Sequence, residues 1–222
     1  MRLPLAFFIL IGCASQQCPS VSADPRNVCD HGIPNLMHFS DNHTTLYRGG
    51  QPEASGWQYL AGLGVTTDIK LNDPVESFGQ GEDTPATDSG ITVVSSTIHP
   101  IDYGLDLRSP EQLFEAPTVE EAASIIATMA TVRGPVFVHC THGRDRTGLV
   151  VALYRVFVDG VSPSVARTEM VRAGFRSVNY GLDHFWNRLF VSGSLADRSS
   201  HQIEFLSALE SNGYHSDFRP VH

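Results

Sequence analysis

The sequence predicts an α/β fold, a mostly parallel central sheet flanked by helices on both faces. Three observations carry that expectation. Three β-branched, apolar runs, Val65 to Leu71, Ile91 to Ile98 and Pro135 to His139, have strand length and composition. Segments with helical spacing separate them, the pattern that places parallel strands between helical layers. The chain of 222 residues is 41% hydrophobic, enough for one well-buried domain, and it shows no internal repeat.

Taken in order, Thr44 to Tyr47 is a short alternating run that opens the domain. Ala54 to Leu63 carries Trp57, Leu60 and Leu63 at helical spacing and stops at Gly64. Gly79 to Gly90, rich in Gly, Asp and Thr, reads as a loop, and the acidic stretch from Asp73 to Asp88 as solvated chain. Thr118 and Glu121 form a capping box for a helix that places Ala122, Ile125, Ile126 and Met129 on one face. Thr147 to Val158 is an apolar helix. Ser162 and Pro163 open another, to about Arg172. A last helix is expected from about Ser200, with Ser199 and Gln202 as its capping pair, ending at Asn212-Gly213. Trp57 and Trp186 read as core, and Arg48 as a salt-bridged strand end or a substrate contact.

The first residues read as an address. Arg2 precedes an apolar run, Leu3 to Ile11, too short to span a bilayer. Leu10-Ile11-Gly12-Cys13 resembles the lipobox of bacterial lipoproteins, which implies cleavage before Cys13, lipidation of Cys13 and a periplasm-facing outer-membrane anchor. An ordinary cleaved signal peptide is the alternative. The expected division is a signal peptide over 1–12, a leader over 13–43 and one domain over 44–215. In an oxidising compartment the neighbouring Cys18 and Cys29 could pair as a disulfide. Cys140 has no such neighbour and is the candidate reactive thiol.

The stretch His139 to Gly148, HCTHGRDRTG, joins a buried strand to the start of an apolar helix. The carboxyl end of a strand in such a sheet is where ligands bind, and the following helix offers unpaired N–H groups and a partial positive charge. Arg144, Arg146 and that terminus favour thiolate over thiol, drawing Cys140 below the free value of ~8.5. The same charges suit an oxyanion. This concentration is local: the chain carries a formal net charge of −9, against a general nucleic-acid binder. His139, Cys140 and His142 lack the paired spacing of a closed zinc site, so no metal and no cofactor are expected.

His139-Cys140-x5-Arg146-Thr147 resembles the signature of the cysteine-dependent protein tyrosine phosphatases. Leu46-Tyr-Arg-Gly-Gly-Gln-Pro52 extends the resemblance toward the bacterial dual-specificity members. The whole loop is similar to a bacterial subgroup and to the tyrosine-phosphatase-like inositol polyphosphatases, the cysteine phytases; Arg144 stands where that subgroup often has Lys. The resemblance implies the phosphatase fold and a cysteinyl-phosphate intermediate on Cys140. It implies Arg146 as the bidentate phosphate clamp and Thr147 as a hydrogen-bond donor to the sulfur. His139 would orient the loop by bonding to its backbone. The amides of Thr141, His142, Gly143, Arg144, Asp145 and Arg146 would hold the phosphate oxygens, with Gly143 permitting the tight turn, and His142 would add charge at the rim below neutral pH.

The family also implies an aspartate general acid on a separate loop. Asp102, after the second strong strand, fits by context; Asp106 fits the usual separation from Cys140 more closely; Glu115 is third; and Asp145 inside the loop is a fourth option. The crowded arginines favour a small, densely phosphorylated substrate. Inositol polyphosphate is the lead, with phosphotyrosine or mixed phosphoprotein next and phosphoinositide lipids after. Two other readings remain: a phosphate-ligand binding module without turnover, and a rhodanese-like sulfur transferase, which has no use for the Arg-Thr pair.

Overall fold

A computed structural model describes residues 29–40, 44–72, 83–98 and 116–220. The elements run β1 (Cys29–Asp30), β2 (Ile33–Pro34), β3 (Met37–Ser40), β4 (Thr45–Gly49), α1 (Ala54–Gly62), β5 (Thr67–Lys70), α2 (Asp83–Asp88), β6 (Thr92–Ser95), α3 (Val119–Thr131), β7 (Val136–His139), α4 (Asp145–Phe157), α5 (Pro163–Arg172), α6 (Tyr180–Phe190) and α7 (Leu195–Ser211). β1 and β2 form a small antiparallel ladder. The other five make one sheet in the order β3-β4-β7-β5-β6, in which only the β3–β4 pair is antiparallel.

Strand β7 lies at the centre because its sequence tolerates nothing else. All four of its residues, Val-Phe-Val-His, are buried, as a parallel strand covered on both faces requires. Its side chains alternate between two cores. Val136, Val138 and the following Cys140 face the large one under α3 to α7, while Phe137 faces the smaller one with Trp57 and Leu60 of α1 and Ala86 of α2. Helices thus cover both faces. Helix α4 has an almost unbroken buried run, Arg146 to Tyr154 and then Val156 and Phe157, because it is the middle element of its layer. None of the described helices is long and apolar enough to cross a membrane.

Four sequence expectations are corrected here. The sheet begins before residue 44: β3, in the stretch read as leader, pairs with β4 from Met37↔Arg48 to Ser40↔Thr45. The stretch read as a loop after Gly79 contains the single-turn helix α2, whose Pro85 sits in the first turn, where its missing N–H costs nothing. Helix α6 was not expected, although Leu182, Phe185, Trp186 and Leu189 bury one face at helical spacing. Helix α7 starts earlier than Ser200, capped by Ser194 and Asp197, and Gln202 is buried instead, donating to the Leu189 carbonyl at 2.7 Å. The expected capping box of α3 is present: the Glu121 amide donates to Thr118 Oγ1 at 3.1 Å, and the Thr118 amide to Glu121 Oε2 at 2.8 Å.

Thr118→Ala removes one half of that box and should lower the unfolding free energy by about 1 kcal/mol. Urea titration checks it; an unchanged midpoint would mean that tertiary packing alone fixes the start of α3.

Candidate functional site

The loop between β7 and α4 is held by its surroundings at every turn. The Leu71 amide donates to the His139 carbonyl at 2.9 Å, and the Gln51 amide to the Thr141 carbonyl at 3.2 Å. At Gly143 the backbone takes a φ of +67°, and a Cβ there would lie 2.2 Å from the Gly49 carbonyl carbon. Any side chain is excluded on both counts. Gly50 repeats the constraint from the other side, since its Cβ would meet the His142 carbonyl carbon at 3.0 Å. The Gly-Gly pair ending β4 is therefore the seat on which the loop rests.

Cys140 is 3% exposed and free. Burial, the largest single influence, pushes its thiol up; the Arg146 charge, the Thr147 hydroxyl and the amides of Thr147 and His142 together outweigh it and bring the thiol below its ordinary value. The Thr147 hydroxyl is buried with no partner at hydrogen-bond distance among the described residues, and its proximity to the sulfur favours the charged form. Arg146, 7% exposed, turns its guanidinium across the ends of the neighbouring strands. Its Nη1 donates to the carbonyls of Leu71 and Ile98, each at 3.2 Å, and Nη2 to Thr141 Oγ1 at 3.4 Å. The plane of the fork is thereby fixed beside the sulfur. Arg144, at the N-cap of α4, supplies no side-chain cap, so the first amides of that helix are not claimed by one.

Several expected roles meet a different geometry. His139 does not bond to the loop backbone: its Nε2 lies 3.2 Å from Asp68 Oδ2, both residues buried, and Nδ1 has no partner among the described residues. The ring stacks on Phe137 and meets Trp57 edge-on, on the face opposite Cys140. His142 is exposed at the rim, but burial and then the charges of Arg144 and Arg176 hold its imidazole below the ordinary value. It therefore gains charge only at lower pH than an ordinary histidine does. Asp145 faces Arg176, taking its Nη2 at 2.7 Å, its Nε at 3.3 Å and its backbone amide at 3.0 Å. Both carboxylate oxygens of Asp145 are thereby engaged by Arg176. Among the described residues Arg48 is no ion-paired strand end, and it is buried rather than exposed. It is 1% exposed, pairs with no carboxylate among the described residues, and donates through Nη2 to the Gly143 carbonyl.

Asp102, Asp106 and Glu115 lie outside the described residues, as do Cys13 and Cys18, and with Cys18 the disulfide to Cys29. Among the described residues no group of three His, Cys, Asp or Glu side chains could hold a metal ion. Asn35, Asp68 and Arg176 were not singled out by sequence reasoning, and Gly49 and Gly50 entered it only within the Leu46-to-Pro52 stretch of the resemblance. Only the glycine pair left a signal, because two glycines directly after a strand mark a close backbone approach.

Comparison with known proteins agrees with this geometry. In sequence the chain is 33% identical over 143 residues to the dual specificity protein phosphatase TpbA of Pseudomonas aeruginosa, covering 64% of this chain and 55% of that protein. It thus spans about half the length of the curated relatives it matches. The crystal structure of P. aeruginosa TpbA superposes with a TM-score of 0.53 at 23% identity, covering 79% of this chain and 95% of that one. A putative phosphatase from Shewanella putrefaciens gives a TM-score of 0.53 at 21% identity, covering 70% and 88%. These two likenesses are likenesses of fold. The family described as DSP-PTPase phosphatase fused to NAD+ kinase matches residues 26–181, and that span takes in the Asn35 and Arg48 contacts as well as the cysteine loop. The chain belongs to this family, within the cysteine-dependent protein tyrosine phosphatases.

Proposed function

We propose that the protein hydrolyses phosphoric monoesters through a cysteinyl-phosphate intermediate. The observation that carries this is the buried Cys140, drawn below its ordinary pKa by Arg146 and Thr147 at the mouth of a helix N-terminus. The thiolate attacks phosphorus in line; the S–P bond forms as the P–O bond to the leaving group breaks. Arg146 and the loop amides hold the equatorial oxygens, where charge builds in the transition state. Asp102 donates the proton to the leaving oxygen, with Asp106 the next candidate. It then takes a proton from the water that cleaves the S–P bond, releasing phosphate and restoring the thiolate. The Thr147 hydroxyl stabilises the sulfur as it leaves.

For substrate we favour phosphotyrosine and mixed phosphoproteins. The similarity to TpbA, a dual specificity protein phosphatase, supports this reading, and a crystal structure of TpbA holds phosphotyrosine. The ion pair of Arg176 with Asp145 points the same way, because it occupies a cation that a polyanion would otherwise use. Inositol polyphosphate is the second reading, supported by Arg144 beside Arg146 in the loop. Initial rates on a phosphotyrosyl peptide and on inositol hexakisphosphate, without added metal, separate the two. A higher kcat/KM for the peptide is expected, and a higher value for the inositol ester would reverse the order. Cys140→Ser should abolish both activities, and Arg146→Lys should lose at least about 100-fold, since a point charge does not reproduce the bidentate fork. Wild-type-like turnover by a folded Cys140→Ser variant would refute the mechanism.

Asp102→Asn should lower kcat by about 100-fold or more and remove the alkaline fall of the pH profile. The acid limb, set by ionisation of the thiol, should stay. If that fall persists in Asp102→Asn and vanishes in Asp106→Asn, the proton comes from Asp106.

A further inference from the structure

We propose that Asn35 and Arg48 form a positioning clamp on the Gly143 carbonyl, which aims the loop amides at the bound phosphoryl group and sets a second buried cation behind the Cys140 thiolate. The inference rests on the phosphatase reading above.

The Gly143 carbonyl accepts from two buried side chains at once. Asn35 Nδ2 reaches it at 2.8 Å, and Arg48 Nη2 donates to it from β4. Asn35 is 4% exposed and Arg48 1%. In a planar trans peptide the C=O and the following N–H point in opposite directions. Two donors drawing the Gly143 carbonyl back toward the sheet therefore turn the Arg144 N–H forward, into the hollow of the loop. Without them that peptide plane could rotate about ψ of Gly143 and φ of Arg144, and Gly143 is the one residue of the loop with no side chain to restrain it.

Asn35 is itself anchored. Its φ of +52° places it in the left-handed region, which Asn tolerates better than most residues, and its Nδ2 also donates to the Ala173 carbonyl at 2.9 Å, just past α5. One amide thus ties the N-terminal segment, the cysteine loop and the end of α5 together. Arg48 has a different oddity. A guanidinium buried without a carboxylate is costly, and its Nε has no partner among the described residues. It shares with Leu46 the sheet face on which Cys140 lies. Burial, only partly offset by attraction to Cys140, brings Arg48 down to about 10, so it remains charged at neutral pH. That attraction is reciprocal. Arg146 leads the influences that favour the thiolate, and Arg48, whose attraction to Cys140 shows in its own shift, is buried on the side that substrate cannot reach.

The test uses the full chain and two readouts independent of turnover: the pH midpoint for iodoacetamide alkylation at Cys140, resolved by peptide mass, and protection of Cys140 from alkylation by tungstate. Arg48→Met should raise the midpoint by roughly one pH unit and weaken tungstate protection about tenfold. Arg48→Lys, which keeps the charge but not the fork, should hold the midpoint near the wild-type value and still weaken protection. Asn35→Ala should leave the midpoint unchanged and weaken protection about tenfold. Wild-type protection in folded Asn35→Ala and Arg48→Lys would overturn the clamp, and a wild-type midpoint in folded Arg48→Met would overturn the electrostatic half. If Arg48→Met does not fold, Arg48→Gln takes its place for the midpoint, and the other two decide the clamp. A wild type that tungstate protects but that hydrolyses no phosphomonoester contradicts the phosphatase reading alone. An active wild type whose variants all behave like it contradicts the clamp alone.

Discussion

A buried sulfur that has to carry negative charge is the constraint around which this protein is arranged. At 3% exposure Cys140 meets a desolvation penalty that by itself would keep it a neutral thiol, and that penalty is the largest influence acting on it. The balance is reversed by groups from separate parts of the chain: the Arg146 cation, the Thr147 hydroxyl, and amides made available because the loop runs straight into the N-terminus of α4. The sheet order serves the same end. With β7 at the centre, the ends of β5 and β6 lie on one side of the loop, and the Leu71 and Ile98 carbonyls just beyond them fix the Arg146 guanidinium.

The other side of the loop is supported by β4 and by the short segment before it. Gly49 and Gly50 let the loop backbone press against the strand end, and Asn35 and Arg48 reach past them to the Gly143 carbonyl. Residues 29–40 thus belong to the folded unit that positions the site. Around the rim, arginine is the working charge. His142 is held below its ordinary value beside Arg144 and Arg176, so near neutrality the field comes from guanidinium groups that do not titrate.

How much of this could be read from the sequence varied with how local each signal was. The β7–loop–α4 unit was legible because a buried strand, the HCTHGRDRTG turn and an apolar helix are contiguous, and the capping box of α3 was legible because its partners are three residues apart. What was missed depends on contacts across the chain. The partner of His139 is Asp68, 71 residues away, and that of Gly143 is Asn35, 108 residues away, so local pattern could not give either. Arg48 looked like any strand-end arginine until its burial removed it from solvent. Helix α6 had the right apolar spacing, but no capping bond marks its start, since the Asn179 side chain makes none. The start of α7 was misplaced because serines at 199 and 200 offered a second capping pattern; burial of Gln202 against the Leu189 carbonyl decided between the two.

The most direct test of the central claim is acid-quenched mass spectrometry of the protein turning over p-nitrophenyl phosphate. The account predicts a peptide containing Cys140 heavier by one phosphoryl group, present in the wild type and absent from Cys140→Ser. Steady hydrolysis with no phosphoryl group on Cys140 at any quench time, or with hydrolysis surviving in Cys140→Ser, would contradict it.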